Sequence, residues 1–387
     1  MQNDFSKLRK FLVPEFVFGE GALHLASKYV KRFQASKIFL VTDKGIADAG
    51  WLKILEENLK SANLDYVLFD KITPNPKDNE VMKGAEILKY EKCDIVLALG
   101  GGSPMDCAKA ISITSTNNVN VTEFEGIDEV KLPGLPLICI PTTAGTSADV
   151  SQFAIISDSL QKRKFGIVSK LVVPDIALID PETTTTMAPE LTAETGMDAL
   201  VHAIEAYVSN ASSAITDINA LKSIELIVAN LPGAYSEPHN MNYRNNMMMG
   251  SLLAGFAFSN ASLGLVHSMA HSLGGSFDLA HGECNSLLLE SVIDFNFDAA
   301  PEKYSDIARI FSPKVKFKDQ DEVKSILKNG IRTLKNSIGI NYTLKDIGVE
   351  KKDIKMLSQK ALMDGCLATN PKLVSLKSIE ECYRNAL

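Results

Sequence analysis

The chain has 387 residues, a formal charge of −7 and a pI near 5.5, with an ordinary globular composition of 45% hydrophobic and 22% charged residues. That acidity gives no electrostatic reason to bind nucleic acid or an anionic membrane, and it points to small-molecule chemistry. The length exceeds the size at which one hydrophobic core stops growing, so two domains are expected.

The first residues, MQNDFSKLRKFLVPEF, contain no apolar signal core, and no window approaches about eighteen uninterrupted apolar residues. A cytoplasmic protein without a membrane partner is expected. Cys93, Cys107, Cys139, Cys284, Cys366 and Cys382 are scattered without a motif, which reads as reduced packing cysteines rather than a disulfide framework.

In chain order, PEFVFG is a short alternating apolar segment and ALHLASKYVKRF has helical spacing. KIFLVTD, DYVLFD and CDIVLALG follow as apolar runs of strand length, separated by the helical patterns WLKILEENLKSA and KDNEVMKGAEILKYE. Strands alternating with helices predict a parallel sheet. Asp43 closes KIFLVTD at the carboxyl edge of a strand, where open α/β sheets place ligands. A carboxylate there can hold a ribose diol and repel a 2′-phosphate, or it can simply cap a helix.

CDIVLALG runs into Gly100, Gly101, Gly102, Ser103 and Pro104 and then a helix, with Ser103 placed to cap, Pro104 at N1 and Asp106 at N3. Three consecutive glycines exceed the needs of a tight turn, and an exposed helix N-terminus offers free N–H groups and a favourable dipole to a phosphate. The run is not GxGxxG. Residues 117–134 read as a long polar connection, after which LPLICIPTT, FAIIS, KFGIVS and IALID supply the remaining strands of the α/β half. PTTAGTSADV sets Thr142, Thr143, Thr146 and Ser147 around Gly145 directly after a strand, offering hydroxyl and backbone donors to a polar ligand. By themselves Lys164 reads as a solvated lysine, and Phe153, Phe256 and Phe258 as core aromatics or the lining of an apolar pocket.

From about Thr192 the pattern is helical, with predicted helices at 219–231, 242–258, 263–273, 301–311, 322–338 and 351–367. The stretch 196–285 gathers Asp198, His202, His267, His271 and His281, four of the chain's six histidines plus a carboxylate. Asp198 and His202 are four residues apart in TGMDALVHAIEAYV, and His267 and His271 repeat that spacing in LGLVHSMAHSLGG. On a helix such pairs lie about 5–6 Å apart, close enough to share one ion. Gly274–Gly275 predicts a helix stop before a loop carrying His281. Five candidates thus compete for about four positions. Carboxylate plus imidazole suits a divalent transition ion, and the absence of CxxC argues against a thiolate structural zinc site.

Taken together, GGGSPMDCAKA, PTTAGTSADV, DPETTTTMAPELTAETGMDALVHAIEAYVS, GLVHSMAHSLGGSFDLAHGECN and ALMDGCLATNP resemble the iron-containing, group III alcohol dehydrogenases over nearly the whole chain. The resemblance implies a dehydroquinate synthase-like fold: a Rossmann-like α/β dinucleotide-binding domain over 1–190 and an all-α metal- and substrate-binding domain over 191–387. It implies Asp198, His202, His267 and His281 as ligands of Fe2+, or of Zn2+, with His271 nearby as a catalytic, proton-relaying group that does not ligate. Gly100, Gly101, Gly102 and Ser103 match the pyrophosphate loop, Asp43 the ribose-reading acid of NAD-preferring members, and Thr142, Thr143, Thr146, Ser147 and Lys164 further cofactor contacts. Phe153 and Phe258 match substrate-pocket positions. The implied activity is interconversion of small primary alcohols and aldehydes with NAD(H), in a homodimer or larger assembly.

The chain departs from the family pattern in GTSADV, where GTGSEV is commoner, in Gly166 of KFGI, where many members have proline, and in Cys284 of HGECN. Glycerol dehydrogenase and dehydroquinate synthase, zinc-dependent relatives on the same fold, are disfavoured by the Asp/His ligand pattern. A non-catalytic binding or regulatory protein is disfavoured by the intact ligands and glycines.

Overall fold

The computed structural model describes residues 10–314 and 319–387. One compact unit spans Leu12–Thr186 and a second is built on Met187–Leu387.

The first unit carries strands β1 (Glu15–Phe18), β2 (Lys37–Val41), β3 (Asp65–Phe69), β4 (Ile95–Gly100), β5 (Gly126–Ile127), β6 (Leu137–Pro141), β7 (Phe153–Asp158), β8 (Arg163–Val168) and β9 (Ile176–Ile179). Six of them form one sheet in the order β1-β9-β6-β4-β2-β3, and every pairing in it is parallel. All six residues of β4 are buried. A central strand covered on both faces must be apolar throughout, which is why CDIVLALG shows no polar alternation.

The period of two still decides which layer each side chain enters. Phe39, Val41, Val96 and Ala98 pack with Met105 and Ile111 of the helix Gly102–Asn117, whereas Ile38, Leu40, Ile95 and Leu97 pack with Leu52, Leu55 and Leu59 of the helix Trp51–Ser61. The chain runs outward from β2 to β3, then returns past β2 to β4 and continues to β6 and β9. The strand order therefore reverses between β2 and β4, and their carboxyl ends, Val41 and Gly100, flank the crevice where open α/β sheets bind ligands.

FAIIS and KFGIVS are strands, as expected, but they do not extend this sheet. β7 and β8 pair antiparallel, with β5 parallel to β8, in a separate three-stranded sheet. Only residues 159–162 join β7 to β8. A turn that short reverses direction and cannot supply the crossover that parallel pairing needs.

Among the described residues of the second unit there is no strand. Its core helices are Pro189–Val208, Ala214–Ser236, Met241–Ala261, Leu265–Phe277 and His281–Asn296. Two expected boundaries differ. Gly274–Gly275 does not stop its helix, which continues to Phe277 and ends where Asp278 turns left-handed at φ 54°. His281 therefore opens the next helix instead of sitting in a loop. The expected helix 351–367 is Ile354–Leu362 followed by a separate 3-10 turn, Gly365–Thr369, because the Asp364 side chain accepts from Cys366 N and starts a new turn. Cys93, Cys107, Cys139, Cys284, Cys366 and Cys382 are free thiols. No single helix among the described residues is long and apolar enough to cross a membrane.

Candidate active site

The helix Pro189–Val208 presents Asp198, His202 and Glu205 at i, i+4 and i+7, all on one face and all buried. A carboxylate or imidazole this deep persists only when its polar atoms are paired. His267 and His271 come from Leu265–Phe277, and His281 from the first turn of His281–Asn296. Gly282 makes that meeting possible, since a Cβ there would lie 2.0 Å from the carbonyl oxygen of Glu194 on the Pro189–Val208 helix. With no side chain between the two backbones, His281 Nε2 stands 3.6 Å from Asp198 Oδ1.

His267 Nε2 stands 3.7 Å from the same oxygen, and His202 Nδ1 is 3.9 Å from Asp198 Oδ2. One ligand atom from each of Asp198, His202, His267 and His281 lies within 4.8 Å of the other three. Asn285 Nδ2 sits among them, 2.7 Å from Asp198 Oδ1 and 3.2 Å from both His267 Nε2 and His281 Nε2. Three acceptors aimed at one point make a cation site in chemical terms. Burial alone would push the Asp198 carboxyl up, but His202, His281 and His267 outweigh it and hold it well below the usual carboxylate range. Burial lowers His267, yet its hydrogen bonds to Asp198 and Glu205 prevail and raise it to about 9. Lone pairs that hold a proton so firmly offer the same attraction to a divalent ion.

His271 lies beside this group and outside the convergence. Its Nδ1 is 2.8 Å from Asp364 Oδ2, and its ring stacks on His281 with centroids 5.1 Å apart. Burial would raise Asp364, but the His271 imidazole and the Cys366 N–H hold it below the ordinary range. Phe258, expected in a substrate pocket, is buried and stacks on the His202 ring at 4.3 Å.

Sequence reasoning missed Glu205, Asn285 and Asp364. The first two had a signal, because Glu205 continues the Asp198–His202 face by three residues and Asn285 is four residues beyond His281. Asp364 stands in the ALMDGCLATNP motif but 93 residues from the histidine it serves.

The cofactor candidates all belong to the Leu12–Thr186 unit. Gly100 has φ +152°, and a Cβ on it would meet Pro104 Cγ at 2.7 Å, so only glycine turns the chain here. The helix begins at Gly102 with Gly101 as its N-cap and no side-chain cap. Ser103 therefore does not cap, Pro104 is the third helical residue, and Asp106 lies deeper, where its Oδ2 accepts from Ile155 N at 3.2 Å. Burial, opposed by Lys109, pushes Asp106 up to about 6. The earlier start leaves the first turn uncapped, which is the condition for receiving an anion.

Ser103 Oγ accepts from Asn75 N at 3.2 Å, and Asn75 Oδ1 accepts from Lys164 Nζ at 2.8 Å, so Asn75, another residue the sequence did not signal, ties the lysine to the glycine loop. Cβ atoms on Gly101 and Gly102 would press against Thr143 and Thr146 at 3.2 and 3.0 Å, so the second loop packs directly on the first. Thr142 Oγ1 is buried at the carboxyl end of β6 with no hydrogen-bond partner. Such an atom costs about 1–3 kcal/mol unless something bonds it. Ser147 holds φ 49°, the left-handed region that favours glycine. The fully buried Lys109 fixes the loop to the helix by donating to Ser151 O at 2.9 Å and to Phe153 O at 2.7 Å. Asp43 Oδ1 accepts from Ile46 N at 3.0 Å and caps the helix Lys44–Asp48, beside the glycine loop at the carboxyl edge of the sheet. The glycine cradle and the orphaned threonine fit a dinucleotide phosphate, as the Asp/His group fits a metal.

Two family models match the chain: Iron-containing alcohol dehydrogenase over residues 14–181, and Fe-containing alcohol dehydrogenase family, C-terminal, over 192–387. The chain is similar to 1,3-propanediol dehydrogenase of Citrobacter freundii, with 39% identity over 380 residues, covering 97% of this chain and 98% of that one. It is also similar to the NAD-dependent methanol dehydrogenase of Bacillus methanolicus, with 34% identity over 377 residues, covering 97% of this chain and 99% of that one. Among solved structures, 1,3-propanediol oxidoreductase superposes with a TM-score of 0.96 at 36% identity, over 98% of this chain and 100% of the other.

Proposed function

We propose that this chain, which belongs to the iron-containing alcohol dehydrogenase family and is an alcohol–aldehyde oxidoreductase of that family, acts on small primary alcohols with NAD(H) and a ferrous ion. The observation that carries the reading is the convergence of Asp198, His202, His267 and His281 on one point inside a buried helical layer. One carboxylate and three imidazoles suit a divalent first-row ion. Zinc fits the same donors and generally outcompetes ferrous iron for them, so iron is assigned on family membership.

When bound, the ion would supply Lewis acidity, lowering an alcohol pKa from about 16 to near 7, roughly 12 kcal/mol, and a nicotinamide would supply the hydride acceptor or donor. The four side chains hold the ion, and Phe258 covers the outer face of the His202 ring. His271, oriented through Nδ1 by Asp364, is left with Nε2 to take or return the hydroxyl proton. Gly100, Gly101, Gly102 and Ser103 receive the pyrophosphate, with Thr142, Thr143, Thr146, Ser147 and Lys164 around it, and Asp43 reads the ribose. Phe153 and Phe258 are assigned to the substrate pocket. The domain division follows at about residue 190, and we place the enzyme in the cytoplasm as a homodimer or larger assembly, without nucleic-acid or membrane partners. NADH formation from a panel of primary alcohols, with metal analysis of the same anaerobic preparation, tests the reading. No turnover on any of them would overturn it.

A further inference from the structure

Glu205 is 4% exposed, and its two carboxylate oxygens face three nitrogen partners. Oε1 accepts from Val266 N at 2.6 Å, and Oε2 accepts from Gly264 N at 3.0 Å and faces His267 Nδ1 at 2.6 Å. Two of the three partners are backbone amides, which can only donate. A carboxylate oxygen without a proton then leaves one role for the third, so His267 Nδ1 carries a hydrogen and Nε2 is the nitrogen turned toward Asp198 and Asn285. Gly264 is part of the same fit, because a Cβ there would lie 3.0 Å from Glu205 Oε1. The carboxylate also sits at the N-terminus of the helix Leu265–Phe277, where negative charge is stabilised and the first amides need acceptors. Leu265 N, the amide between the other two, goes to Asn370 Oδ1 at 3.1 Å.

We propose that Glu205 is a positioning residue of the metal centre, fixing both the ring orientation and the tautomer of His267 so that Nε2 is the ligand atom. The proposal rests on the reading that Asp198, His202, His267 and His281 hold a divalent ion. A glutamine cannot replace Glu205. It has one acceptor oxygen, and its amide group must oppose either Val266 N–H or both Gly264 N–H and His267 Nδ1–H. In the second case the ring is driven to the Nε2–H tautomer, which has no lone pair for the metal.

The test compares wild type with Glu205→Gln, Glu205→Asp and Asn370→Ala, using Zn2+ as a diamagnetic probe. Zinc affinity is measured by chelator competition, and the His267 ring protons by NMR with 15N-labelled histidine. Glu205→Gln is expected to bind zinc about 10- to 100-fold more weakly and to shift or lose the His267 Nδ1–H resonance seen in wild type. Glu205→Asp, which keeps the charge and both oxygens one methylene shorter, recovers part of both. Asn370→Ala, which removes the acceptor of Leu265 N together with the side-chain bonds to Asn296 and Lys372 O but leaves the Glu205–His267 contact in place, lowers thermal stability but keeps the resonance. Wild-type affinity and an unchanged Nδ1–H resonance in Glu205→Gln would overturn the proposal, and if that variant does not fold, the absence of a His267 Nδ1–H resonance in wild type does so. If wild type binds no divalent ion at all, the metal reading fails instead, while the Nδ1–H resonance still reports on Glu205.

Discussion

His271 Nδ1 and Asp364 Oδ2 are 2.8 Å apart, an anchorage that His271 shares with His267 on Glu205, but His271 stands outside the group that converges on Asp198. A ring so anchored whose Nε2 is not committed to an ion can move a proton there, as general acid–base histidines do. Replacing His271 with Ala is expected to leave the bound metal at wild-type content and to lower kcat by about 10²- to 10⁴-fold. Asp364→Asn should lower kcat less, because it retains an acceptor. Metal content and steady-state rates measured on one preparation check this, and loss of metal on replacing His271 would move that residue into the ligand set.

The raised pKa of His267 has a pH consequence. A group raised from 6.5 to about 9 contributes stability to the metal-free chain that is fully present below 6.5 and is lost as pH rises through about 9. The metal must displace that proton, so affinity runs the other way and weakens as pH falls. Between about pH 8.5 and pH 6.5 the apparent zinc affinity should drop by about tenfold per pH unit. Titrations across that range, repeated in buffers of different ionisation enthalpy to count released protons, check it. A pH-independent affinity would contradict a protonated His267.

Much of this architecture could be read from the residues, and the failures share a cause. CDIVLALG with its glycines announced a central parallel strand and a glycine turn into a helix because both are local consequences of pattern and backbone freedom. The histidine pairs announced themselves through helical spacing. Ser103 was misplaced as a cap because the left-handed turn at Gly100 starts the helix earlier than the residue types suggest. Gly274–Gly275 failed as a stop because a glycine ends a helix where the backbone turns left-handed, and here that turn falls at Asp278. Asp364 and Asn75 act on partners far away in the chain, and no periodicity reports such a pairing; helical spacing places Glu205 on the Asp198–His202 face but does not report its partner His267.

Gly282 tests the packing that assembles the ligands. Its missing Cβ would overlap backbone, which cannot rotate away as a side chain can. Gly282→Ala should cost about 3 kcal/mol or more of stability and release His281 from Asp198. Denaturant unfolding and zinc affinity should both fall. Normal stability with normal affinity would mean that the helices separate at no cost.

Asp43 both caps a helix and stands beside the glycine loop, and two substitutions separate these roles. Asn is as good a cap as Asp but has no charge. Asp43→Asn should therefore keep wild-type stability while narrowing the preference for NAD over NADP. Asp43→Gly should relax it further, at a stability cost of only a few tenths of a kcal/mol. Comparing kcat/KM for the two cofactors settles it, and unchanged discrimination in both variants would remove Asp43 from cofactor reading.

The central claim is that Asp198, His202, His267 and His281 together hold the one ion on which alcohol oxidation depends. The direct measurement is NADH formation from a primary alcohol by protein stripped of metal, then reloaded anaerobically with ferrous iron, alongside Asp198→Ala treated identically. The expected result is that activity disappears on stripping and returns in wild type at about one iron per chain, while Asp198→Ala neither binds iron nor recovers. Undiminished turnover by the stripped protein, or recovery in Asp198→Ala, would contradict it.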